Sequence, residues 1–285
     1  MRRFTTFVGV DLGGARGKTT AVAQLRVTPS GRAAVHAVST RHRGEPWVDE
    51  TLIGFVEGLG DDVVVAIDAP LTSPACTRCV LPACPGIEAC ADPAVVWLRT
   101  EGRALTEDTA VASNVVGGGT VTRAPTRSRP RVQPYAHRCT ELVVCHERGL
   151  LPPSALGAAV GLVAHRATHL RRRLLRAGFE LNQNLIEVSP AATVAALFDR
   201  RRARGYKRDA DPWETRAAIM EALPDLEFAP GSRLAREDVL RNDHCFDAVI
   251  DAYTAFLWAR DGWAMPEGAP FADDGWIWTP PPRAR

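Results

Sequence analysis

Residues 7–14 read Phe-Val-Gly-Val-Asp-Leu-Gly-Gly, a short apolar run that ends in an acid and opens into glycines. That order reads as a buried strand entering a turn. On its C-terminal side, residues 19–28 (TTAVAQLRVT) and 32–41 (RAAVHAVSTR) alternate or nearly alternate in polarity around Pro29, Ser30 and Gly31, as an antiparallel hairpin does. Residues 47–60 (WVDETLIGFVEGLG) then carry a helical pattern, with Gly60 where a C-cap glycine belongs. Residues 61–71 (DDVVVAIDAPL) supply a second buried strand that ends in an acid, Asp68. The predicted order is strand, strand, strand, helix, strand.

From residue 71 to 149 this periodicity gives way to Cys-, Pro-, Gly- and Arg-rich sequence too long for an ordinary loop, which predicts a structured insertion within one domain spanning 1–285. Ser154 is placed to cap a long helix running through Leu175 and stopping near Gly178. Residues 184–190 (NLIEVSP) form a third apolar strand carrying an acid, Glu187. Helices are predicted over 191–201, 211–223 and 245–262, and residues 275–282 (GWIWTPPP) form a short strand or an extended tail.

Composition excludes several classes. With 46% hydrophobic and 24% charged residues the chain can build a packed core, so disorder is not expected. The N-terminal apolar run is interrupted by Asp11, and no stretch reaches the roughly 18 apolar residues of a spanning helix. A cytoplasmic protein without membrane association is expected, in which seven cysteines stay reduced or bind metal. Net charge is 35 − 33 = +2, short of the basic balance that marks a nucleic-acid binder. Arginines do cluster, at Arg123, Arg127, Arg129 and Arg131, at Arg171, Arg172, Arg173 and Arg176, and at Arg200, Arg201, Arg202 and Arg204. Because Lys18 and Lys207 are the only lysines, these clusters reflect compositional bias as readily as phosphate contact.

An acid at the end of a buried strand is costly unless paired, solvated or bound to a cation. Asp11, Asp68 and Glu187 each occupy such a place, and Asp247 and Asp251, four residues apart, lie on one face of an otherwise apolar helix. A shared Mg²⁺ or Mn²⁺ site explains the set economically, since both ions prefer carboxylate oxygens and serve phosphoryl transfer.

The ordered motifs VGVDLG (Asp11), VVVAIDAPL (Asp68, Pro70), IEVSPAA (Glu187, Pro190), Tyr206-Lys207, DPWETRAAIMEAL (Arg216) and DAVIDAYTA (Asp247, Asp251) resemble the predicted RNase H-like nucleases catalogued as domain of unknown function 429. The resemblance runs through most of the chain outside the insertion. It implies an α/β fold with an RNase H-like mixed sheet, three antiparallel strands followed by parallel ones, flanked by helices. It implies acids converging near the first and fourth strands, as in the distantly similar Holliday-junction resolvases. Asp11, Asp68, Glu187, Asp247 and Asp251 become the candidate catalytic set, with Asp11, Asp68, Glu187 and Asp251 as metal ligands. Residues 137–144 (HRCTELVV) depart from the Arg-containing motif expected after the second acidic strand, and Arg138 joins Lys207, Arg127, Arg129 and Arg131 as a candidate substrate contact on that partial match.

Cys76, Cys79, Cys84 and Cys90 form a C-x2-C-x4-C-x5-C cluster. Such density in a reducing compartment favours metal ligation over disulfides, by structural Zn²⁺ or by a 4Fe–4S centre. Cys139, Cys145 and Cys245 read as core or incidental, although Cys139 or Cys145 with His146 could replace a missing ligand. A metal-dependent nuclease acting on DNA or RNA is the expected function. The alternatives are a non-catalytic nucleic-acid-binding protein and an actin-like-fold small-molecule kinase. A P-loop at residues 13–20 is disfavoured, because Leu12 stands where the first glycine is required.

Overall fold

A computed structural model describes residues 4–14, 19–106, 132–150, 161–230 and 233–281. Strands β1 (Thr6–Asp11), β2 (Ala21–Val27) and β3 (Ala33–Ser39) form an antiparallel meander, with Thr6 opposite Arg26 and Asp11 opposite Ala21. Helix α1 (Asp49–Glu57) crosses over to β4 (Val63–Ile67), which runs parallel to β1. Gly60 does not cap α1 directly. The helix ends at Glu57, and Gly60, at φ 89°, turns the chain into β4.

The insertion contributes α2 (Ala75–Arg78), α3 (Pro93–Trp97), a π-helical turn over Leu98–Gly102 and α4 (Cys139–Arg148). Helix α5 (Gly161–Arg176) leads to β5 (Leu185–Val188), and Gly178 has the positive φ of 86° that its place after the helix predicts. The Ser154 cap lies outside the described residues. Helices α6 (Pro190–Leu197), α7 (Arg200–Arg208) and α8 (Pro212–Glu221) precede β6 (Leu226–Phe228), and α9 (Arg233–Arg241), α10 (Asp243–Asp261), α11 (Ala269–Asp274) and β7 (Ile277–Trp278) complete the chain.

The result is a mixed seven-stranded sheet in the order β6-β3-β2-β1-β4-β5-β7, flanked by helices. Strand periodicity sorts its side chains onto two layers. Phe7, Val64, Ala66, Ile186 and Val188 pack with Phe246, Val249 and Ile250 of α10. Val8, Val10, Val65, Ile67 and Leu185 pack with Leu52 and Val56 of α1 and with Leu170 and Leu174 of α5. No described helix is long and apolar enough to cross a membrane.

Two elements differ from the sequence reading. The helix expected over 191–201 is broken, because the Asp199 carboxylate accepts the Arg202 N–H at 2.8 Å and starts α7 as a separate helix. Strand β6 has only three residues, too few for a polarity pattern, and exists because it pairs in parallel with Ala33–Val35 of β3. The closing segment is a true strand, pairing Ile277 with Glu187 and Trp278 with Val188.

Candidate metal centre

Asp11 closes β1, and Asp68 follows the last residue of β4. Val10 is paired with Ile67 in the parallel ladder, so the two acids stand side by side at the same end of neighbouring central strands. The Asp68 N–H donates to the Val10 carbonyl at 3.0 Å and fixes this register past the strand end. Both acids share the parity of Phe7 and Ala66 and therefore face α10.

Helix α10 begins at an Asn242 cap whose side chain accepts the His244 N–H at 2.9 Å, and it ends at Gly262, φ 63°. It crosses β1 at Gly9. A Cβ on Gly9 would stand 2.0 Å from the Ala248 carbonyl oxygen and 2.4 Å from the Ala252 nitrogen, so only glycine admits this approach. Asp247 and Asp251 immediately precede those two alanines and arrive beside the strand-end acids. Asp11, Asp68 and Asp247 each bring a carboxylate oxygen within 4.8 Å of the other two.

The electrostatics of this pocket are unbalanced. Asp247 and Asp251 are fully buried, and neither oxygen of Asp251 has a hydrogen-bond partner. Burial, followed by the charges of Asp68, Asp247 and Asp11, pushes the Asp251 carboxyl well above its ordinary range. Asp68 is raised in the same way, by burial and then by Asp11 and Asp247, with Lys207 opposing. For Asp247, burial raises the pKa and the neighbouring Lys207 ammonium offsets part of the effect. Lys207 Nζ lies 2.5 Å from Asp247 Oδ2, and Lys207 and Tyr206 are the partners of this carboxylate. An all-oxygen donor set with surplus negative charge is what a hard divalent cation takes.

Two flanking groups complete the site. Tyr206 is buried, and burial together with the Asp247 and Asp68 charges raises its phenol. His244 was missed by the sequence reading. Its Nδ1 lies 2.5 Å from Asp11 Oδ2, and that hydrogen bond raises the imidazole pKa. The available signal was spacing: His244, Asp247 and Asp251 stand at i, i+3 and i+7, one helical face.

Glu187 does not join this set. It shares the parity of Leu185, on the sheet face away from α10, and is held bidentately by Arg138, with Nη1 at 2.7 Å and Nη2 at 2.6 Å. Its Oε2 also accepts the Leu71 N–H at 2.8 Å, which ties β5 to the turn after Asp68. Arg138 is correspondingly not a substrate contact. Its side chain is 1% exposed and it also donates to Glu141 at 3.1 Å and to Thr72 at 2.8 Å. Burial opposes the Arg138 charge, but Glu187 and Glu141 outweigh it and raise its pKa. A strand-end acid and an isolated arginine thus satisfy each other inside the protein.

Lys207 is at the site, 42% exposed and paired with an acid. Arg127, Arg129 and Arg131 lie outside the described residues. Cys76, Cys79 and Cys84 are exposed and Cys90 is half-buried, in the insertion and apart from the carboxylates. Cys139 and Cys245 are buried.

The fold and site define an α/β domain with a carboxylate cluster at the ends of its two central parallel strands. Residues 9–270 match the family described as protein of unknown function (DUF429), and the chain belongs to that family. No curated protein and no solved structure matches it.

Proposed function

We propose that this protein is a divalent-metal-dependent nuclease of RNase H-like architecture that hydrolyses phosphodiester bonds of DNA or RNA. The observation that supports it most is Asp251, fully buried with both oxygens lacking hydrogen bonds beside Asp68, Asp247 and Asp11. Without a metal these four acids are relieved by protonation and by Lys207, and a divalent cation would relieve them while all remain ionised. Asp11, Asp68 and Asp247, backed by Asp251, would hold Mg²⁺ or Mn²⁺, which when bound supplies positive charge against the phosphate and acidifies a water.

The chain's own residues have separable tasks. Lys207 neutralises Asp247 in the metal-free protein, and its 42% exposure leaves the ammonium able to meet a phosphate oxygen. His244 sits at the rim, 42% exposed, with Nδ1 held by Asp11. Its Nε2 is then the atom from which a proton can pass to a leaving oxygen. Action in the cytoplasm is part of the same reading, supported by seven thiols that all stand free of disulfides.

Cleavage of labelled DNA and RNA in Mg²⁺ and in Mn²⁺ tests the proposal. Asp11→Asn and Asp68→Asn each remove a charge at nearly constant volume, and each should lower cleavage at least about a hundredfold with the unfolding midpoint preserved or, for Asp68→Asn in chelator, raised. No cleavage of either substrate in either metal would overturn the nuclease assignment, and cleavage that survives chelation, or that both variants retain, would overturn the metal centre.

A further inference from the structure

Residues 79–91 have no buried side chain, Cys90 alone being half-buried, and no helix or strand runs between α2 and α3. Val80 is 93% exposed and Leu81 57%. Hydrophobic burial therefore does not hold this stretch. Arg99 Nη1 reaches back to the carbonyls of Ile87 at 2.9 Å and Glu88 at 2.6 Å, and Arg103 pairs with Glu88 at 2.7 Å, which anchors the half of the stretch that carries Cys90. The half that carries Cys79 and Cys84 is exposed throughout.

We infer that Cys76, Cys79, Cys84 and Cys90 are the four thiolate ligands of one metal centre, a structural zinc or an iron–sulfur cluster, that holds this lobe together. It is a second site, separate in residues and in chemistry from the carboxylates. Cys76 lies in the single turn of α2, and Cys79 directly follows that turn, so the pair presents two sulfurs across a helix end. Gly86, φ 87°, donates its N–H to the Cys84 sulfur at 3.4 Å, just ahead of a turn over residues 87–89. A backbone N–H aimed at sulfur stabilises the thiolate, the form that ligates.

Among the described residues the three carboxylates are the group already drawn within 4.8 Å, so the sulfurs must move inward on binding. No packed side chain opposes that movement. Soft thiolates select zinc or iron–sulfur over the hard cations suited to the carboxylates. Ligation would release the thiol protons and convert an uncored segment into a rigid lobe, as in other small metal-stapled units.

The test uses the full chain, prepared with and without oxygen, with metal and sulfide analysis and thiol titration as readouts independent of nuclease activity. The expected result is about one zinc per chain, or iron and inorganic sulfide with the visible absorption of a cluster, and four thiols that react in the folded chain only after chelation. Cys79→Ser and Cys84→Ser together should lose the metal and expose residues 79–91 to protease. The unfolding midpoint of the sheet should stay in place, because both side chains are exposed. Four freely reacting thiols in both preparations and after reconstitution with zinc or with iron and sulfide would overturn the inference. So would metal retained by the double variant. Metal content of the unmodified chain decides the matter even if the variants fail to fold.

Discussion

Asp251 is buried with no hydrogen bond to either carboxylate oxygen, and its titration makes the consequence measurable. Its pKa is raised in the folded, metal-free chain, so between the ordinary carboxylate range and the raised value the folded state binds more protons than the unfolded state. Stability therefore falls as pH rises through that window. Asp251→Asn removes the effect, and in chelator the variant should melt above the unmodified protein at neutral pH, by roughly 2–4 °C per kcal/mol released. The gain should vanish as pH falls toward about 4, where the unfolded-state carboxyl protonates. A midpoint difference that does not change with pH would contradict the assignment. Glu187 should behave in the opposite way. Glu187→Ala strands the buried Arg138 guanidinium and should cost about 3–5 kcal/mol in urea unfolding, at every pH where glutamate is charged. An unchanged midpoint would restore Glu187 as a candidate ligand.

At the scale of elements, the site depends on the approach of α10 to β1. Gly9 permits it, because a side chain there would overlap the backbone of Ala248 and Ala252. Gly9→Ala should destabilise by about 1–3 kcal/mol through overpacking. It should also weaken Mg²⁺ binding, measured by calorimetry, because pushing α10 outward separates Asp247 from Asp11 and Asp68. Full stability with full affinity would show that the helix accommodates a methyl group and that the crossing does not set the site. Two further helix boundaries follow local chemistry, at Ser189, which caps α6 ahead of Pro190, and at Asp199, which caps α7.

For the whole molecule, Asp11 and Asp68 occupy the ends of β1 and β4 near the middle of the sheet. Net charge of +2 supplies little general attraction, so binding should rest on local clusters. Replacing Arg127, Arg129 and Arg131 together with alanine should weaken duplex binding and flatten its salt dependence, by roughly 0.9 unit of log–log slope for each phosphate that is no longer neutralised. An unchanged slope would remove that cluster from the nucleic-acid surface. Members of the other two clusters make intramolecular contacts, with Arg173 on Glu50 at 2.9 Å at the surface, Arg171 on the Leu71 carbonyl at 3.1 Å and Arg200 on the Arg148 carbonyl at 3.0 Å.

Much of this was legible along the chain. Period-two apolar runs, their terminal acids and the i, i+4 pair on a long helix are local patterns, and they predicted β1 to β5, α10 and a converging set of Asp11, Asp68, Glu187, Asp247 and Asp251, from which Glu187 must be removed. Partners distant in sequence were not legible. Arg138 and Glu187 are 49 residues apart and His244 and Asp11 are 233 apart, and neither separation leaves a local trace. A strand-end acid looks the same whichever sheet face it takes. Packing made that choice, placing Leu185 with Glu187 on the α5 side and Ile186 with Val188 against α10, because side chains alternate along a strand and the sheet has two differently furnished faces.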